Sequence, residues 1–475
     1  MSYGNKLIKL IYYRSPYLIK NFIATAYGWK TAKQRFGRYY KEYFQIAEKF
    51  TWSDNKSILE YQFNKLKKFL IFVSQHSLFY KQLFNSYGFD PYQIVSIEDL
   101  QVLPILSKEE FRKSINKILI NDPTLCASIS ETSGTTGKGL RFLESLECYQ
   151  RENAYRFHNY YTMGNIKVKD KWAFCAGHPV TYIKRTKPPF WVHDFYNNWL
   201  FFSSYHMTET NLKYYLDKLY DFKPDLLGGY PSSIYLLALA NLNRKKPVSV
   251  KGVFTSSETL YPFQKKIIEE SFNCLALSYY GNAERCGFIS ECPKGKFHIR
   301  IDHSVVEILD DQNQSVLPGE SGRLVVTGFG NYATPLIRYD IGDRVIRSKE
   351  EKCSCGRSGL LLDQIIGRKE DYILTPDGRY VGRLDHLFKD VTTVKAAQLI
   401  QNSIDELIIR IVKDDSYTLK DEMAILQEAR FRLGDSIKIK FEYVSEINRT
   451  RSGKLRFIVS NIPQKEIFGR NIALD

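Results

Sequence analysis

Between Ser130 and Phe142 the sequence reads Ser-Glu-Thr-Ser-Gly-Thr-Thr-Gly-Lys-Gly-Leu-Arg-Phe. Glycines let backbone N–H groups turn toward an anion, hydroxyls add donors, and a lysine adds positive charge. Thr132, Ser133, Gly134, Thr135, Thr136, Gly137 and Lys138 therefore make a loop suited to the phosphate tail of a nucleoside triphosphate. It is not a Walker A loop: only Thr135 and Thr136 separate Gly134 from Gly137, and Gly139 rather than a hydroxyl residue follows Lys138. Taken alone it could equally be a hydroxyl-rich surface loop.

Four further clusters carry groups that can do chemistry. Tyr279-Tyr280-Gly281-Asn282-Ala283-Glu284 joins rings able to stack on a purine to a carboxylate able to hold Mg²⁺ beside phosphates. Arg338-Tyr339-Asp340-Ile341-Gly342-Asp343 places Asp343 after a tight glycine turn, a geometry that suits acceptance of both ribose hydroxyls or, more plainly, an exposed β-turn. Gly367-Arg368-Lys369-Glu370 is a charged border, and Asn448-Arg449-Thr450-Arg451-Ser452-Gly453-Lys454 presents a late lysine on a glycine-containing turn. Cys292 and His298, six apart, with Cys353 and Cys355, could close a tetrahedral zinc site around one His and three Cys. That spacing is not a standard finger, so reduced thiols and a surface histidine are the competing reading. With no open position such a metal would be structural and would pin the 350s loop beside the Asp343 turn.

The elements that must position these groups are legible in outline. Residues 1–120 read as mostly helical; Leu59, Gln62, Leu66, Phe69 and Val73 recur at helical spacing, and Ser107 before Lys108-Glu109-Glu110 is a helix cap. From about 145 to 365, helical stretches alternate with short apolar runs such as Trp172–Ala176 and Leu324–Val326. Pro224–Pro231 and Val253–Glu258 read as strands that end in polar turns, where open α/β sheets place ligands. Beyond the charged border, Leu407–Val412 and Ile437–Glu442 are strand-like and flank an amphipathic helix at about 418–433. The expected architecture is α/β. A large N-terminal domain, 1–366, has sheets flanked by helices, and a small α+β domain, 367–475, carries Lys454.

The 475 residues have 44% hydrophobic content, enough for real cores, and a net charge of +16. No zinc-finger, RNP-type or basic-helix pattern accompanies that charge, so nucleic acid is not the expected partner. Eight cysteines in this length do not suggest a disulfide scaffold. The N-terminus lacks a signal-peptide layout and no run of about eighteen apolar residues occurs, so a cytoplasmic chain without a membrane span is expected. Residues 5–25 are basic and amphipathic, a composition shared by helices that touch a membrane surface and by helices lying on a core.

In order and spacing, these clusters resemble the successive signatures of the adenylate-forming superfamily of acyl-CoA synthetases, luciferases and adenylation domains. A closer resemblance is to phenylacetate–CoA ligase and the CapK-type proteins of capsular polysaccharide synthesis. It is carried by Leu103–Ser107, Glu131–Lys138, Ser257-Glu258-Thr259-Leu260, Pro335–Tyr339 and Cys355-Gly356-Arg357, and covers roughly residues 55–460. It implies an ATP- and Mg²⁺-dependent ligase that makes an acyl-AMP and passes the acyl group to coenzyme A or another thiol or amine acceptor. It further implies that Thr132–Lys138 hold the β- and γ-phosphates, Glu284 holds Mg²⁺, and Tyr279 or Tyr280 stacks on adenine with Ser257 and Glu258 at its edge. Asp343 would bind ribose with Arg368 nearby, and Lys454 would reach the α-phosphate. Glu370 falls on the family's pivot position, where an aspartate is usual, and Asn448-Arg449 replaces the usual proline before the lysine. Gly177, His178 and Tyr230, with Trp191, His193, Trp199 and Tyr205 beside them, are the candidates for the acyl pocket. The competing reading is a catalytically altered member that binds nucleotide or scaffolds a polysaccharide machine.

Overall fold

The structure is a computed structural model. It describes residues 12–462 except 132–140, 178–179, 183–184, 259, 261, 368–372, 379, 382–383, 389–390, 392, 414 and 448–456. Its centre is a twelve-stranded mixed sheet. The strands are β3 (Trp172–Ala176), β4 (Trp191–Asp194), β5 (Trp199–Ser203), β6 (Leu226–Gly229), β7 (Gly252–Thr255), β8 (Ala276–Gly281), β9 (Phe288–Glu291), β10 (Phe297–Ile299), β11 (Val305–Leu309), β12 (Ser321–Gly328), β13 (Leu336–Arg347) and β14 (Leu360–Gly367), preceded by the hairpin β1 (Cys126–Glu131) and β2 (Arg141–Ser145). Across the sheet the order is β11-β12-β13-β14-β10-β9-β8-β7-β6-β3-β5-β4. β5, β3, β6, β7 and β8 run parallel, whereas β8 and β9 pair antiparallel, so β8 is the seam between a parallel and an antiparallel half.

The parallel half is apolar along each strand because helices cover both its faces. One face packs Leu200, Phe202, Leu227 and Val253 against the helices Glu209–Phe222, Pro231–Leu242 and Pro262–Phe272. On the other, helix Leu146–Gly164 brings Phe157 and Tyr160 onto Trp172, Leu226 and Phe254. The antiparallel half is filled by Leu66, Phe69, Val73, Tyr80 and Phe111 from the helices Asn55–His76, Leu78–Ser86 and Lys108–Ile118. In Asn55–His76 the buried stripe runs Ile58, Gln62, Leu66, Phe69, Val73; Leu59, expected inside, is exposed, because the stripe turns at its first step to Ile58. The Ser107 hydroxyl accepts from the Glu110 N–H at 3.1 Å, the cap that its sequence predicts.

The edge strand β4 is closed by helix Tyr17–Arg35. Asn21 Oδ1 accepts from the His193 N–H at 3.0 Å and the Thr25 hydroxyl from the Phe195 N–H at 3.1 Å, which blunts an edge otherwise open to pairing. After the short hairpin β15 (Ile373–Leu374) and β16 (Tyr380–Val381), a further four-stranded sheet has the order β19-β18-β17-β20, with β17 (Val394–Ser403), β18 (Glu406–Lys413), β19 (Lys438–Tyr443) and β20 (Ile458–Ser460). Its core of Leu399, Leu407, Ile409 and Ile411 packs on Ile425, Ala429 and Leu433 of helix Leu419–Leu433, which starts with a Thr418–Asp421 capping box.

Candidate functional site

The carboxyl ends of adjacent parallel strands bring together residues distant in sequence: Gly177 after β3, Tyr230 after β6, Ser257 and Glu258 after β7, and Tyr279–Gly281 at the end of β8. Ligands bind at this rim of open α/β sheets, where peptide dipoles and loop N–H groups converge. Two turns there are sterically exacting. Gly229 has φ +145°, and a Cβ on it would lie 2.0 Å from the Cys175 carbonyl oxygen, so only glycine lets β6 turn into Tyr230. Ser257 holds φ +72°, an uncommon left-handed residue at the rim.

The two carboxylates singled out by sequence interlock through the motifs of each other. Tyr280 donates to Asp343 Oδ2 at 2.6 Å, and Tyr339 donates to Glu284 Oε1 at 2.9 Å. Both acids are buried, and a buried carboxylate must be met by donors or by a cation. Asp343 does not follow a turn, as its glycine suggests. It lies inside β13, in a bulge where Ile341, Gly342 and Asp343 together face Leu324; Asp340 Oδ1 accepts the Gly342 N–H at 2.8 Å and Gly342 takes φ +84°. After Gly281 the Glu284 turn is built by Asn282, whose side chain accepts the Cys286 N–H at 3.0 Å. The paired tyrosines part company: Tyr279 stacks on Phe288 at 5.7 Å beneath helix Leu146–Gly164, while Tyr280 faces Asp343.

Thr132–Lys138 lie outside the described residues, but the hairpin that carries them does not. Glu144 on β2 pairs with Arg285, next to Glu284, and accepts from the hydroxyls of Ser128 and Ser130 at 3.0 and 3.1 Å. Asn331 and Thr334 grip the same strand: Asn331 Oδ1 accepts the Ser145 N–H at 3.1 Å, and the Thr334 hydroxyl donates to the Leu143 carbonyl at 2.7 Å. The base of the phosphate-loop candidate is thereby fastened to both carboxylate-bearing segments. Sequence reasoning missed Glu144, Arg285, Asn331 and Thr334; the adjacency of Arg285 to Glu284 was the one available signal. The Leu103–Ser107 segment locks to the other motif. Leu106 exchanges backbone hydrogen bonds with Arg338 and Asp340 at 2.9 and 3.0 Å, and the buried Arg338 guanidinium donates to Glu307 at 3.0 and 2.8 Å.

Of the acyl-pocket candidates, Gly177 and Tyr230 meet: a Cβ on Gly177 would sit 2.8 Å from the Tyr230 hydroxyl, with the Tyr205 hydroxyl 3.4 Å away. Tyr205 donates to the Gly177 carbonyl at 2.7 Å and accepts from Arg432, on helix Leu419–Leu433, at 3.1 Å. The C-terminal sheet's helix thus reaches this corner. Trp199 is core, its ring stacked on Trp172 at 5.1 Å. His193 lies on β4, its imidazole packed on Phe195 at 4.0 Å. His178, Arg368, Glu370 and Lys454 lie outside the described residues.

Cys292, His298, Cys353 and Cys355 do converge: their ligand atoms all lie within 4.8 Å of one another. Cys292 and Cys353 sulfurs are 3.7 Å apart and Cys355 Sγ is 3.4 Å from His298 Nε2. The edges of a tetrahedral zinc site are of that size, about 3.8 Å for S···S and about 3.6 Å for S···N. His298 Nδ1 donates to the Ser358 carbonyl at 3.1 Å, which leaves the Nε2 lone pair directed at the thiols, as a metal-bound imidazole requires. Burial holds His298 down to about 4, hence neutral, and pushes the Cys355 thiol up to about 12. One expectation is corrected: the cluster is not beside Asp343. His298 pairs with Leu361, and Asp343 lies beyond the opposite end of β14, where Gly367 pairs with Arg344, about 20 Å along the strand.

Residues 373–461 match the CapK C-terminal domain family. Over 464 residues, 96% of this chain and 100% of the relative, the sequence is 28% identical to Protein CapK of Staphylococcus aureus. It is 26% identical to the phenylacetate-coenzyme A ligase of Thermus thermophilus over 342 residues, 66% of this chain and 71% of that one. Among solved structures it is similar to 2-hydroxyisobutyryl-CoA ligase in complex with 2-HIB-AMP and CoA in the thioesterification state (TM-score 0.61, 19% identity, 90% of this chain and 94% of that chain). The open conformation of the same ligase gives a TM-score of 0.52 at 20% identity, covering 84% and 90%. The fold is that of the adenylate-forming ligases.

Proposed function

We propose that this relative of CapK and of phenylacetate-coenzyme A ligase joins a carboxylic acid to AMP and then hands the acyl group to coenzyme A or another thiol or amine acceptor. The observation that carries the reading is the reciprocal pair Tyr280–Asp343 and Tyr339–Glu284, which sets two buried carboxylates at the rim of the seam strand. In the first step a carboxylate oxygen attacks the α-phosphorus of ATP, the bond to the β-phosphate oxygen breaks, and pyrophosphate leaves. In the second, the acceptor attacks the acyl carbon and AMP leaves with the bonding pair.

The protein's part is positioning and charge neutralisation. Thr132, Ser133, Gly134, Thr135, Thr136, Gly137 and Lys138 would donate to the β- and γ-phosphates, on a hairpin held by Glu144. Tyr280, rather than the inward-packed Tyr279, would face adenine with Ser257 and Glu258, and its hydrogen bond to Asp343 would hold that carboxylate for the ribose hydroxyls, with Arg368 nearby. Glu284 fits magnesium: it is a buried oxygen ligand whose neighbour Arg285 is engaged by Glu144. Magnesium, when bound, would offset charge on the phosphoryl oxygens. Lys454 would reach the α-phosphate from a small domain, residues 367–475, pivoting at Glu370, and the Arg432–Tyr205 contact supports a lid that meets the Gly177–Tyr230 corner. The likeness to CapK favours an acid used in capsular polysaccharide biosynthesis, in the cytoplasm. Cys292, His298, Cys353 and Cys355 would hold one structural zinc.

The test is pyrophosphate release from MgATP with a panel of carboxylic acids. At least one acid should support release, and Lys454→Ala should slow it about 10²–10³-fold, the usual cost of a lost donor to a charged transition state. If no acid supports release, or the variant adenylates at the parent rate, the reading fails.

A further inference from the structure

Helix Tyr17–Arg35 uses one face to close the sheet edge and leaves the other in solvent. Asn21, Gly28 and Ala32 are buried toward the protein; Gly28 comes so close to Asp194 that a Cβ there would overlap its carboxylate at 2.0 Å. At 100° per residue, Leu18, Trp29, Phe22, Lys33, Ala26, Ile19 and Lys30 then span an arc of about 120° on the outside. Leu18 is 79% and Phe22 75% exposed, with Ile19 and Trp29 each 48% exposed. Large apolar side chains are rarely left so bare in a row along one helix, and such a stripe marks a contact. The turn after β4 adds Phe195, 61% exposed, next to Thr25.

The charge around the stripe identifies the contact. No aspartate or glutamate occurs before Glu42, while Arg14, Lys30, Lys33, Arg38 and Lys41 are exposed around the same helix. Lys33 Nζ lies 3.9 Å above the Trp29 ring, so cation and aromatic sit at one level, as they do at a lipid headgroup boundary. A second copy of this face would bring like charges together, and a nucleic acid would have no use for Leu18 and Phe22. We infer that the outer face of helix Tyr17–Arg35 docks the protein on an anionic lipid bilayer, with Leu18, Phe22 and Trp29 entering the acyl boundary and the lysines meeting headgroup phosphates. Both signals are needed, because neither a short apolar stripe nor a few lysines alone gives stable attachment. The inference is independent of the proposed ligase chemistry.

Co-sedimentation of the full chain with vesicles tests it. Vesicles of phosphatidylcholine mixed with phosphatidylglycerol should bind at least tenfold more tightly than phosphatidylcholine alone, and rising salt should weaken the difference. The double variant Leu18→Ser/Phe22→Ser and, separately, Lys30→Glu/Lys33→Glu should each lose tenfold or more while melting at the parent temperature, since these side chains point outward. Equal binding to both vesicle types, no binding to either, or variants that sediment like the parent would overturn the inference. So would a solution dimer that Leu18→Ser/Phe22→Ser dissociates, which would assign the face to a second copy.

Discussion

Two hydroxyl-to-carboxylate hydrogen bonds and one half-buried ion pair organise the site at the scale of single residues. Glu144 gathers three partners: the Arg285 guanidinium as an ion pair, and the hydroxyls of Ser128 and Ser130 as donors. Removing Glu144 leaves the part-exposed Arg285 without its counter-charge and two hydroxyls without their acceptor, at a cost of about 1–3 kcal/mol. Glu144→Ala should therefore lower unfolding free energy in urea by about that amount. Glu144→Gln keeps an acceptor oxygen and should lose roughly half as much. An alanine variant as stable as the parent would show that Arg285 finds another counter-charge. None of this is visible in a linear reading, where Glu144 is one acid among many and Ser128 and Ser130 are two hydroxyls at the start of the phosphate-loop candidate.

At the scale of elements, β9 and β10 are the short strands of the antiparallel half, four and three residues long, and β10 lies between β9 and β14. The loop before β14 is held to them by the thiol–imidazole cluster. It is also tied to helix Arg38–Thr51, whose Thr51 carbonyl accepts the Ser358 N–H at 3.0 Å. If zinc occupies the cluster, protein prepared without chelator should contain one zinc per chain by elemental analysis. Cys353→Ser should lose the metal and melt several degrees lower, because a structural zinc contributes folding energy directly. Metal-free protein with an unchanged melting point would leave three reduced thiols and an imidazole as the answer. The spacing Cys-x₅-His with Cys-x-Cys could not decide this, because convergence depends on β9, β10 and β14 being neighbours in the sheet.

For the whole molecule, pH sensitivity follows from imidazoles sealed in the interior. Burial pushes His158 down to about 3 and His303 down to about 4, the latter despite Glu152 at 3.6 Å. Unfolded histidine takes a proton near its ordinary value of 6.5, so between 6.5 and 4 the unfolded chain binds protons that the folded chain refuses. Stability is complete above about pH 6.5 and falls on acidification, by about 3 kcal/mol for His303 alone by pH 4. Melting temperature should decline from pH 7 to pH 5, and His158→Phe, which fills the place against Phe44 without a titrating group, should flatten the decline. A flat profile in the parent would mean that these histidines are reached by water.

Local chemistry and order along the chain were legible in the sequence itself. The phosphate-loop composition, the Tyr-Gly-x-x-Glu and Gly-Asp motifs, the Ser107 cap and the alternation of apolar strands with helices all depend on neighbouring residues or on a pattern that no fold has to supply. Which of two tyrosines faces Asp343, that Gly342 makes a bulge, that Glu144 ties a hairpin to a distant arginine, and that the thiol cluster lies at the far end of β14 were decided by tertiary structure alone. Each depends on register and strand order, and a shift of one residue in either sends a side chain to the opposite face of the sheet.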